Sequence, residues 1–289
     1  MYTDLFGKTR YKVNLHMHTN MSDGRKTPEE AVRIYKAHGY DAVALTDHWV
    51  MGSNTEIDGV TVLAGAEYNC GGSDCRNGVF HIVALCCDRD PEINKSMGAQ
   101  EMVDAIHKAG GLAVLAHPAW SLNSPAQIMS VKGFDATEIY NSVSAVHHSR
   151  RPDSSILVDM LGAEGRFYPL IAADDSHYYD GSEECKSFIM VQAEENTPEE
   201  LKKAIKAGRF YASQGPEVHL KREGNEFVAK TSPVSTIIFL SNYVWSQRAF
   251  DGDGITEARY TPREGEKFIR VMVEDADGKM AWSQIVPVE

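Results

Sequence analysis

Histidine and carboxylate side chains lie close together in the segment NLHMHTNMSDG, residues 14–24. His16 and His18 occupy alternate positions at a predicted strand end, and Asp23 follows five residues later. Alternate residues of a strand point to the same face, so the two imidazoles are expected to lie side by side. Imidazole nitrogens and carboxylate oxygens are common ligands of divalent transition metals. The segment therefore predicts part of a metal site, which must draw further ligands from elsewhere in the chain.

Further candidate ligands stand in or after later strand-like segments. They are His48 in TDH, Glu67 in GAE, His81 in FHIVAL, His117 in AHP, and Asp175 with His177 in DDSH. Taken singly, each is compatible with a hydrogen-bonded structural residue. Taken together, they would bury six of the eleven histidines and several carboxylates without compensating partners unless a metal is present. In DDSH either Asp174 or Asp175 could coordinate, and alternation along the strand favours Asp175.

The elements that must position these residues alternate between apolar strands and amphipathic helices. Helices are predicted over about 27–38, 98–108, 152–162 and 198–207; the first opens with Thr27 as N-cap and Pro28 at the first helical position. The strands between them are short and fully apolar, which is typical of a parallel sheet covered on both faces. About eight such strands favour a closed barrel, in which the candidate ligands converge on one face.

After Gly208 the pattern changes to strand-like runs separated by Gly, Pro and Asp. We therefore predict two parts, a metal-binding barrel over residues 1–209 and a small all-β appendage over residues 210–289. The stretch DGDG at 251–254 is similar to the start of a calcium loop. Its expected glutamate position holds Pro262, so DGDG is predicted to be a turn.

The constellation resembles the polymerase and histidinol phosphatase (PHP) superfamily. The resemblance rests on HMH, SDG, TDH, GAE, His81, AHP and Asp175-Ser176-His177, and it covers about residues 10–205. It implies an α/β fold, a distorted (β/α)7 TIM-like barrel with up to three divalent metal ions. It implies that His16, His18, Glu67 and Asp175 hold one ion, that Glu67 bridges to a second held by His81 and His117, and that Asp23, His48 and His177 hold the third. The Asp-x-His spacing of the family also favours Asp175 over Asp174.

The chemistry expected from these ligands is hydrolysis. A bridging carboxylate such as Glu67 holds two ions about 3.5–4 Å apart, so a water between them can lose a proton and attack in line. Mixed histidine and carboxylate ligands suit Mn, Fe or Zn. We predict a metal-dependent phosphoesterase with a metal-bridging hydroxide as nucleophile and with Glu67 and Asp175 at its catalytic centre. Two alternatives remain open: an amide or carboxyl-ester hydrolase, and an inactive metal-stabilised module whose appendage binds a partner.

Composition limits the setting of this activity. The 289 residues include 43% apolar and 24% charged residues, with no apolar run near the ~20 needed to cross a bilayer and no secretory signal. Five irregularly spaced cysteines suit free thiols, so we expect a cytoplasmic protein without membrane contact. The net charge of −12 argues against duplex nucleic acid and for a small phosphorylated substrate. Arg76, Arg150 and Arg151 are candidate contacts to that substrate, and the glycine-rich segment 71–78 could border it.

Overall fold

The chain forms five α-helices and seventeen strands in the part that the structure describes. The structure is a computed structural model, and it describes residues 1–71, 78–245 and 248–288. The helices are α1 (Pro28–Ala37), α2 (Ala99–Lys108), α3 (Pro125–Ser130), α4 (Ser155–Ala163) and α5 (Pro198–Lys206), with a 3-10 turn at Val143–Ala145. The strands are β1 (Tyr2–Thr3), β2 (Thr9–Asn14), β3 (Ala42–Leu45), β4 (Thr55–Ile57), β5 (Val60–Cys70), β6 (Phe80–Leu85), β7 (Leu112–Leu115), β8 (Ala136–Asn141), β9 (Leu170–Ala173), β10 (Phe188–Gln192), β11 (Phe210–Ser213), β12 (Val218–Glu223), β13 (Glu226–Leu240), β14 (Ala249–Tyr260), β15 (Phe268–Glu274), β16 (Met280–Trp282) and β17 (Val286–Pro287).

The helix starts follow from capping chemistry. At α1 the Glu30 amide donates to Thr27 Oγ1 (3.2 Å) and the Thr27 amide donates to Glu30 Oε2 (3.0 Å), which satisfies two otherwise unpaired donors. The four predicted helices are all present. Helix α4 begins three residues later than predicted, because the Ser154 amide still pairs with Ile139 of β8. Helix α3 was missed because it is only six residues long.

The sheet is mixed, which confirms the α/β class and corrects the prediction of a parallel sheet. Strands β2, β3 and β5 pair in parallel, as do β7, β8 and β9. Strand β6 lies between the two sets and is antiparallel to both β5 and β7. The cause lies in the connection: no helix separates β5 from β6 within the described residues, so the chain turns directly back along the strand that it has left.

A closed (β/α)7 barrel is not confirmed. No ladder joins β9 to β2 in the described parts of the chain. These strands meet just beyond their ends, at an isolated parallel bridge between Met17 and Ser176. There the Asp175 amide donates to the carbonyl of His16 (2.8 Å), and the His18 amide donates to the carbonyl of Ser176 (2.9 Å). This contact brings two of the predicted ligand segments side by side.

The sheet continues without a break into the C-terminal segment. Strand β11 pairs with β10 on one side and with β16 on the other. Trp282 of β16 is fully buried, and its ring stacks on Tyr140 of β8 with 5.5 Å between centroids. The prediction of a turn at DGDG is wrong, because residues 251–254 belong to β14 and form an irregularity in its pairing with β13. The proposed boundary at residue 209 therefore lies between two strands, β10 and β11, that are hydrogen-bonded to each other.

Two further features concern the environment that the sequence suggested. Cys70, Cys86, Cys87 and Cys185 are free thiols, and Cys75 lies outside the described residues. Within residues 1–71, 78–245 and 248–288, no helix combines the length and apolarity needed to cross a bilayer.

An ion pair between Arg270 and Asp159 joins the two segments, and its loss is expected to destabilise the protein. Arg270 in β15 is fully buried and donates from Nε and Nη2 to the two carboxylate oxygens of Asp159 in α4, at 2.7 Å each. The variant Asp159→Ala leaves a buried guanidinium unpaired, so we expect a loss of about 2–4 kcal/mol in the free energy of unfolding, measured by urea denaturation. The control Asp58→Ala removes an exposed partner of Arg33 and is expected to change little. Equal effects of the two variants would contradict this assignment.

Candidate metal centre

The nine ligand residues predicted from the sequence lie together in three groups. Within each group the candidate ligand atoms lie within 4.8 Å of one another. The first group is His16, His18, Glu67 and Asp175; the second is Glu67, His81 and His117; the third is His18, Asp23, His48 and His177. The groups have the members of the three sets that the family resemblance implied, with His18 added to the third.

Strand direction explains why residues 160 positions apart meet. Strands β2, β3, β7 and β9 end shortly before His16, His48, His117 and Asp175, and parallel strands carry their ends to the same edge of a sheet. His81 is different because it lies at the beginning of β6. Since β6 runs antiparallel to β5, its beginning pairs with the end of β5, with His81 opposite Asn69. The hairpin therefore delivers His81 to the same edge.

Glu67 lies between the first and second groups and faces both. Its Oε2 atom is 3.3 Å from His16 Nε2 and 3.2 Å from His18 Nε2. Its Oε1 atom is 2.8 Å from His81 Nδ1 and 3.1 Å from His117 Nε2. The side chain is 1% exposed. His48 Nδ1 also lies 3.2 Å from Oε2. One carboxylate thus presents one oxygen to each of the first two groups, which is the arrangement of a bridging ligand.

The first group fits a cation because of its donor chemistry. His16 Nε2 and His18 Nε2 are only 3.2 Å apart, and they lie 3.2 and 3.0 Å from Asp175 Oδ1. Two imidazole nitrogens and two carboxylate oxygens therefore converge on one point inside the protein. Facing lone pairs repel one another unless a proton or a metal ion lies between them. The set of two nitrogens and two oxygens suits a divalent transition metal.

The third group is more open than the other two. Asp23 Oδ2 is 3.7 Å from His48 Nε2 and 3.5 Å from His177 Nε2, and Asp23 Oδ1 is 3.5 Å from His18 Nδ1. The Asp23 side chain is 54% exposed, whereas the side chains of the first two groups are at most 7% exposed. His18 therefore has one ring nitrogen in the first group and the other beside the third.

Asp175, and not Asp174, lies in the cluster. Asp174 points away, where Oδ2 accepts from the Tyr35 hydroxyl (2.9 Å) and Oδ1 from Ser142 Oγ (2.9 Å) and the Ser187 amide (2.7 Å). Burial raises the pKa of Asp174 to about 6. The backbone at Asp175 is left-handed, with φ +54°, and His117 is also left-handed with φ +28°. Strained backbone at two candidate ligands is typical of functional sites.

Sequence reasoning missed a carboxylate that orients the ligands. Glu138 is fully buried in β8; its Oε1 lies 2.7 Å from His16 Nδ1, and its Oε2 accepts from the His117 amide (2.8 Å). Asn141 Nδ2 donates both to Glu138 Oε2 (2.8 Å) and to Asp175 Oδ2 (3.1 Å). A carboxylate on the far nitrogen of a ligating histidine fixes the tautomer and orientation of the ring. A glutamate within the buried strand ATEIYN was the available signal.

Asp47 and Gly24 hold the loop that carries Asp23. Asp47 accepts from the Thr19 amide and hydroxyl (both 2.7 Å) and from Ser22 Oγ (2.8 Å). A Cβ atom on Gly24 would lie 2.3 Å from the carbonyl oxygen of His18, so only glycine allows the loop to pack this closely. The motifs SDG and TDH thus form one unit.

The charges of the cluster shift the pKa values of its members in the metal-free protein. Burial lowers the pKa of His16 and His18, but Asp175 and Glu67 outweigh it, raising the pKa of His16 well above its usual value and that of His18 to about 9. Burial acts in the opposite direction on Glu67 and Asp175. There the neighbouring histidines prevail and hold both carboxyl pKa values well below their usual range. The carboxylates are therefore ionised and available as ligands at neutral pH.

The cluster forms the floor of a cavity of about 590 Å³. Its walls include residues that the sequence did not single out, namely Trp120, Val143, Ser144, Ser149 and Tyr178. His148 and Arg151 also line it, whereas Arg150 and His147 do not. The Trp120 ring stands nearly perpendicular to the His117 ring, with 5.0 Å between centroids, and forms an apolar wall beside the second group. Arg76 and residues 72–77 lie outside the described residues.

A fourth group, Asp4, Glu217 and His219, lies outside this cavity. Arg10 Nε donates to Asp4 Oδ2 (2.6 Å), and His219 Nε2 lies 2.5 Å from Glu217 Oε1. The Tyr2 hydroxyl donates to Glu217 Oε2 at 2.5 Å. The arginine supplies the positive charge that a metal would supply, so this group is a hydrogen-bonded clasp of the N-terminal segment.

The protein-family model of the PHP domain matches residues 14–182, which are more than half of the chain. The chain belongs to the PHP domain family. The matched segment contains all nine candidate ligands, from His16 to His177.

Three known proteins are similar to this PHP chain. An uncharacterized protein of Methanocaldococcus jannaschii is 28% identical over 118 residues, which are 37% of this chain and 67% of that protein. A two-domain protein of Bacteroides vulgatus that contains a predicted PHP-like metal-dependent phosphoesterase is 15% identical, with a TM-score of 0.54 over 100% of this chain and 97% of that chain. The lesion-specific endonuclease EndoQ of Pyrococcus furiosus is 19% identical, with a TM-score of 0.51 over 69% of this chain and 56% of that one. The Bacteroides vulgatus and Pyrococcus furiosus structures share the fold of this chain.

The expectation that excluded duplex nucleic acid is wrong. Endonuclease Q has been solved with a 27-mer duplex substrate whose abasic lesion lies at the active site; it is 17% identical to this chain, with a TM-score of 0.50 over 69% of this chain and 57% of that one. A protein of this fold therefore takes duplex DNA. The error was to use the net charge of −12, which sums over the whole surface, whereas binding depends on the charge around the site.

Metal uptake by this PHP domain is expected to release protons. In the metal-free protein the pKa of His18 is about 9, so its imidazole is protonated at neutral pH, and a metal ion must displace that proton. Metal affinity should therefore increase as the pH rises towards about 9 and level off above it. Titration calorimetry at about pH 7.5, in buffers of different protonation enthalpy, measures the released protons. Uptake without proton release at that pH would contradict the shifted pKa.

Proposed function

We propose that the protein is a metal-dependent hydrolase of phosphate esters that uses up to three divalent ions, Mn, Fe or Zn. The observation that carries this proposal is the position of Glu67, which presents one oxygen to His16 and His18 and the other to His81 and His117. Such a carboxylate serves two ions at once, and two neighbouring ions are the usual device for in-line displacement at phosphorus.

In this proposal the nine residues hold the ions as the family resemblance implied. His16, His18, Glu67 and Asp175 hold the first, Glu67, His81 and His117 the second, and Asp23, His48 and His177 the third. When bound, such ions lower the pKa of water and stabilise the negative charge that develops on a phosphoryl group. We also infer that the strands around the cluster represent the distorted (β/α)7 barrel of the family, joined at the contact between β2 and β9, and that residues 210–289 form its β appendage.

The chain's own residues have separate tasks. Glu67 and Asp175 would supply the carboxylate ligands, while Glu138 orients His16 and supports the backbone of His117. Arg151 is the only lysine or arginine that lines the cavity among the described residues. Its guanidinium is therefore suited to bind the phosphate oxygens that the ions leave free. His148 and Tyr178 form the same wall, with Nε2 and the hydroxyl oxygen 3.4 Å apart.

The cavity supports a small phosphate ester or a short nucleotide as substrate. A volume of about 590 Å³ lies within the ~300–1,000 Å³ range of small-molecule sites. A hydrolysis panel tests the class directly: a chromogenic phosphate monoester, a phosphate diester, a carboxyl ester, and a DNA duplex containing an abasic site. Release of phosphate or cleavage of the diester supports the proposal. Turnover of the carboxyl ester alone would replace it with the alternative hydrolase, and bound metal without any turnover would favour the inactive module.

Glu67→Gln is expected to lower kcat for phosphate esters by about 10³-fold or more, because it removes the charge shared by two ions. The matched control is Glu217→Gln, which changes another buried glutamate that contacts a histidine but lies outside the cavity. The control should retain wild-type turnover. Steady-state kinetics and metal analysis of both proteins measure the difference, and wild-type rates for Glu67→Gln would refute the two-ion core.

Arg151→Ala is expected to lower kcat/KM for phosphate esters by about 10–100-fold, the scale of one charge-assisted hydrogen bond. Arg150→Ala is the control, because Arg150 is the neighbouring arginine and does not line the cavity. Arg150 has a left-handed backbone, with φ +61°, so the chain turns between the two side chains. Equal losses in the two variants would show that Arg151 acts through general surface charge and has no specific role in the cavity.

A further inference from the structure

Glu183 is a buried carboxylate that binds three consecutive backbone amides. It is 0% exposed. Its Oε1 atom accepts hydrogen bonds from the amides of His177, Tyr178 and Tyr179, the last at 3.3 Å. Three successive N–H groups directed at one oxygen form an anion-binding turn, and the anion here is supplied by the chain itself. Glu183 lies just beyond residues 14–182, the segment that the family model matches.

Each of the three residues that Glu183 holds acts on the third ligand group or its surroundings. The His177 imidazole is 3.5 Å from Asp23 Oδ2. The Tyr178 side chain lines the cavity. The Tyr179 hydroxyl donates to the carbonyl oxygen of His18 at 2.6 Å. One carboxylate therefore sets the backbone from which a ligand, a cavity wall and a support of His18 project.

Glu138 does the corresponding work for the other two groups. It contacts His16 and the backbone of His117, and through Asn141 it is linked to Asp175. In the described parts of the chain, the hydrogen bonds of Glu138 reach no ligand that belongs to the third group alone, and those of Glu183 reach none of Glu67, His81 and His117. The two buried carboxylates thus support different ligands, and only His18, whose carbonyl Tyr179 contacts, belongs to the first group as well as to the third.

The side chains of the third group are less restrained by packing than those of the other two groups. Its side chains are 54% exposed at Asp23, 27% at His48 and 20% at His177, so packing restrains them less than the fully enclosed ligands. His177 also lies in a turn beyond the end of β9, next to the isolated bridge at Ser176, and its carbonyl oxygen accepts from the Arg25 amide (2.9 Å). A ligand on a turn is positioned by whatever holds that turn, and here Glu183 is the side chain that binds its amides.

We propose that Glu183 is the positioning residue of the third metal group and sets the occupancy of that ion separately from the other two. The proposal rests on the three-ion site of the proposed function. Loss of an outer residue that orients a ligand typically weakens metal affinity by about 10–100-fold. Removing the charge of Glu183 should therefore weaken the affinity for the third ion by that factor and leave the affinities for the other two unchanged.

The test counts bound metal, so it does not depend on an active substrate. Metal-free wild-type protein and the variant Glu183→Gln are titrated with Mn²⁺, and bound equivalents are measured by equilibrium dialysis with elemental analysis. Glu184→Gln is the matched control, because within the described residues the Glu184 carboxylate accepts from the Gly181 amide (2.8 Å) and not from the amides of residues 177–179. Glu138→Gln is the contrasting variant. We expect three equivalents for the wild type and Glu184→Gln. For Glu183→Gln we expect two at the same Mn²⁺ concentration and a third at about 10–100-fold more.

Other outcomes overturn the proposal. Binding by Glu183→Gln that equals the wild type, or an equal weakening of all three ions, would show that Glu183 has no separate role. If Glu183→Gln does not fold, as judged by circular dichroism, Glu183→Asp takes its place: with the charge kept but displaced, it should weaken the third ion alone. A wild type that binds only two ions refutes the third site itself. Three ions without hydrolysis of any phosphate ester would refute the proposed function while leaving the assignment of Glu183 intact.

Discussion

The ionised, buried carboxylate of Glu67 is the constraint on which the rest of the site depends. A charge at this depth is very unfavourable unless cations or hydrogen-bond donors surround it. Five histidines meet that need, three at Oε2 and two at Oε1, with distances of 2.8–3.3 Å. The arrangement works in the other direction as well, because so many imidazoles can lie together only around negative charge. A divalent ion satisfies both requirements and releases the protons that otherwise hold the cluster together.

The fold satisfies this constraint by bringing the ligand residues together at one edge of the sheet. Strand ends from both parallel sets, and the beginning of β6, deliver ligands to one place while the apolar strands behind them stay packed. The local cost is visible in the left-handed backbone of Trp49, His117 and Asp175, each worth about 1–3 kcal/mol of strain. Glu138, Asn141 and Asp47 offset part of that cost by hydrogen bonds within the buried layer.

The sequence was sufficient for the parts of the structure that depend on local chemistry. Capping residues such as Thr27 identified α1, and histidine and carboxylate spacing identified all nine residues of the three groups. The antiparallel direction of β6 was not predicted, because a short apolar strand has the same sequence pattern in parallel and antiparallel pairing. The only indication of its direction was that no helix is predicted between β5 and β6. Glu138 and Glu183 were missed for a different reason. Their roles lie in contacts with residues more than twenty positions away or with backbone amides, which a single sequence does not show. For Glu138 the one signal was a glutamate within an otherwise apolar strand, and it did not indicate the partners.

Burial varies across the three groups, and this gradient bears on substrate choice. The first two groups are enclosed, so their charge is hidden from solvent, while Asp23, His48 and His177 face the cavity beside Arg151 and Tyr178. A substrate approaching the site therefore meets the third group and the arginine before the enclosed core. This explains why a net charge of −12 says little about nucleic acid, since the field at the cavity mouth depends on the few side chains there and on the charge of any ion that they hold. Under the proposed function, the substrate is then selected in this open half of the site, where the loops after β8 and β9 form part of the wall.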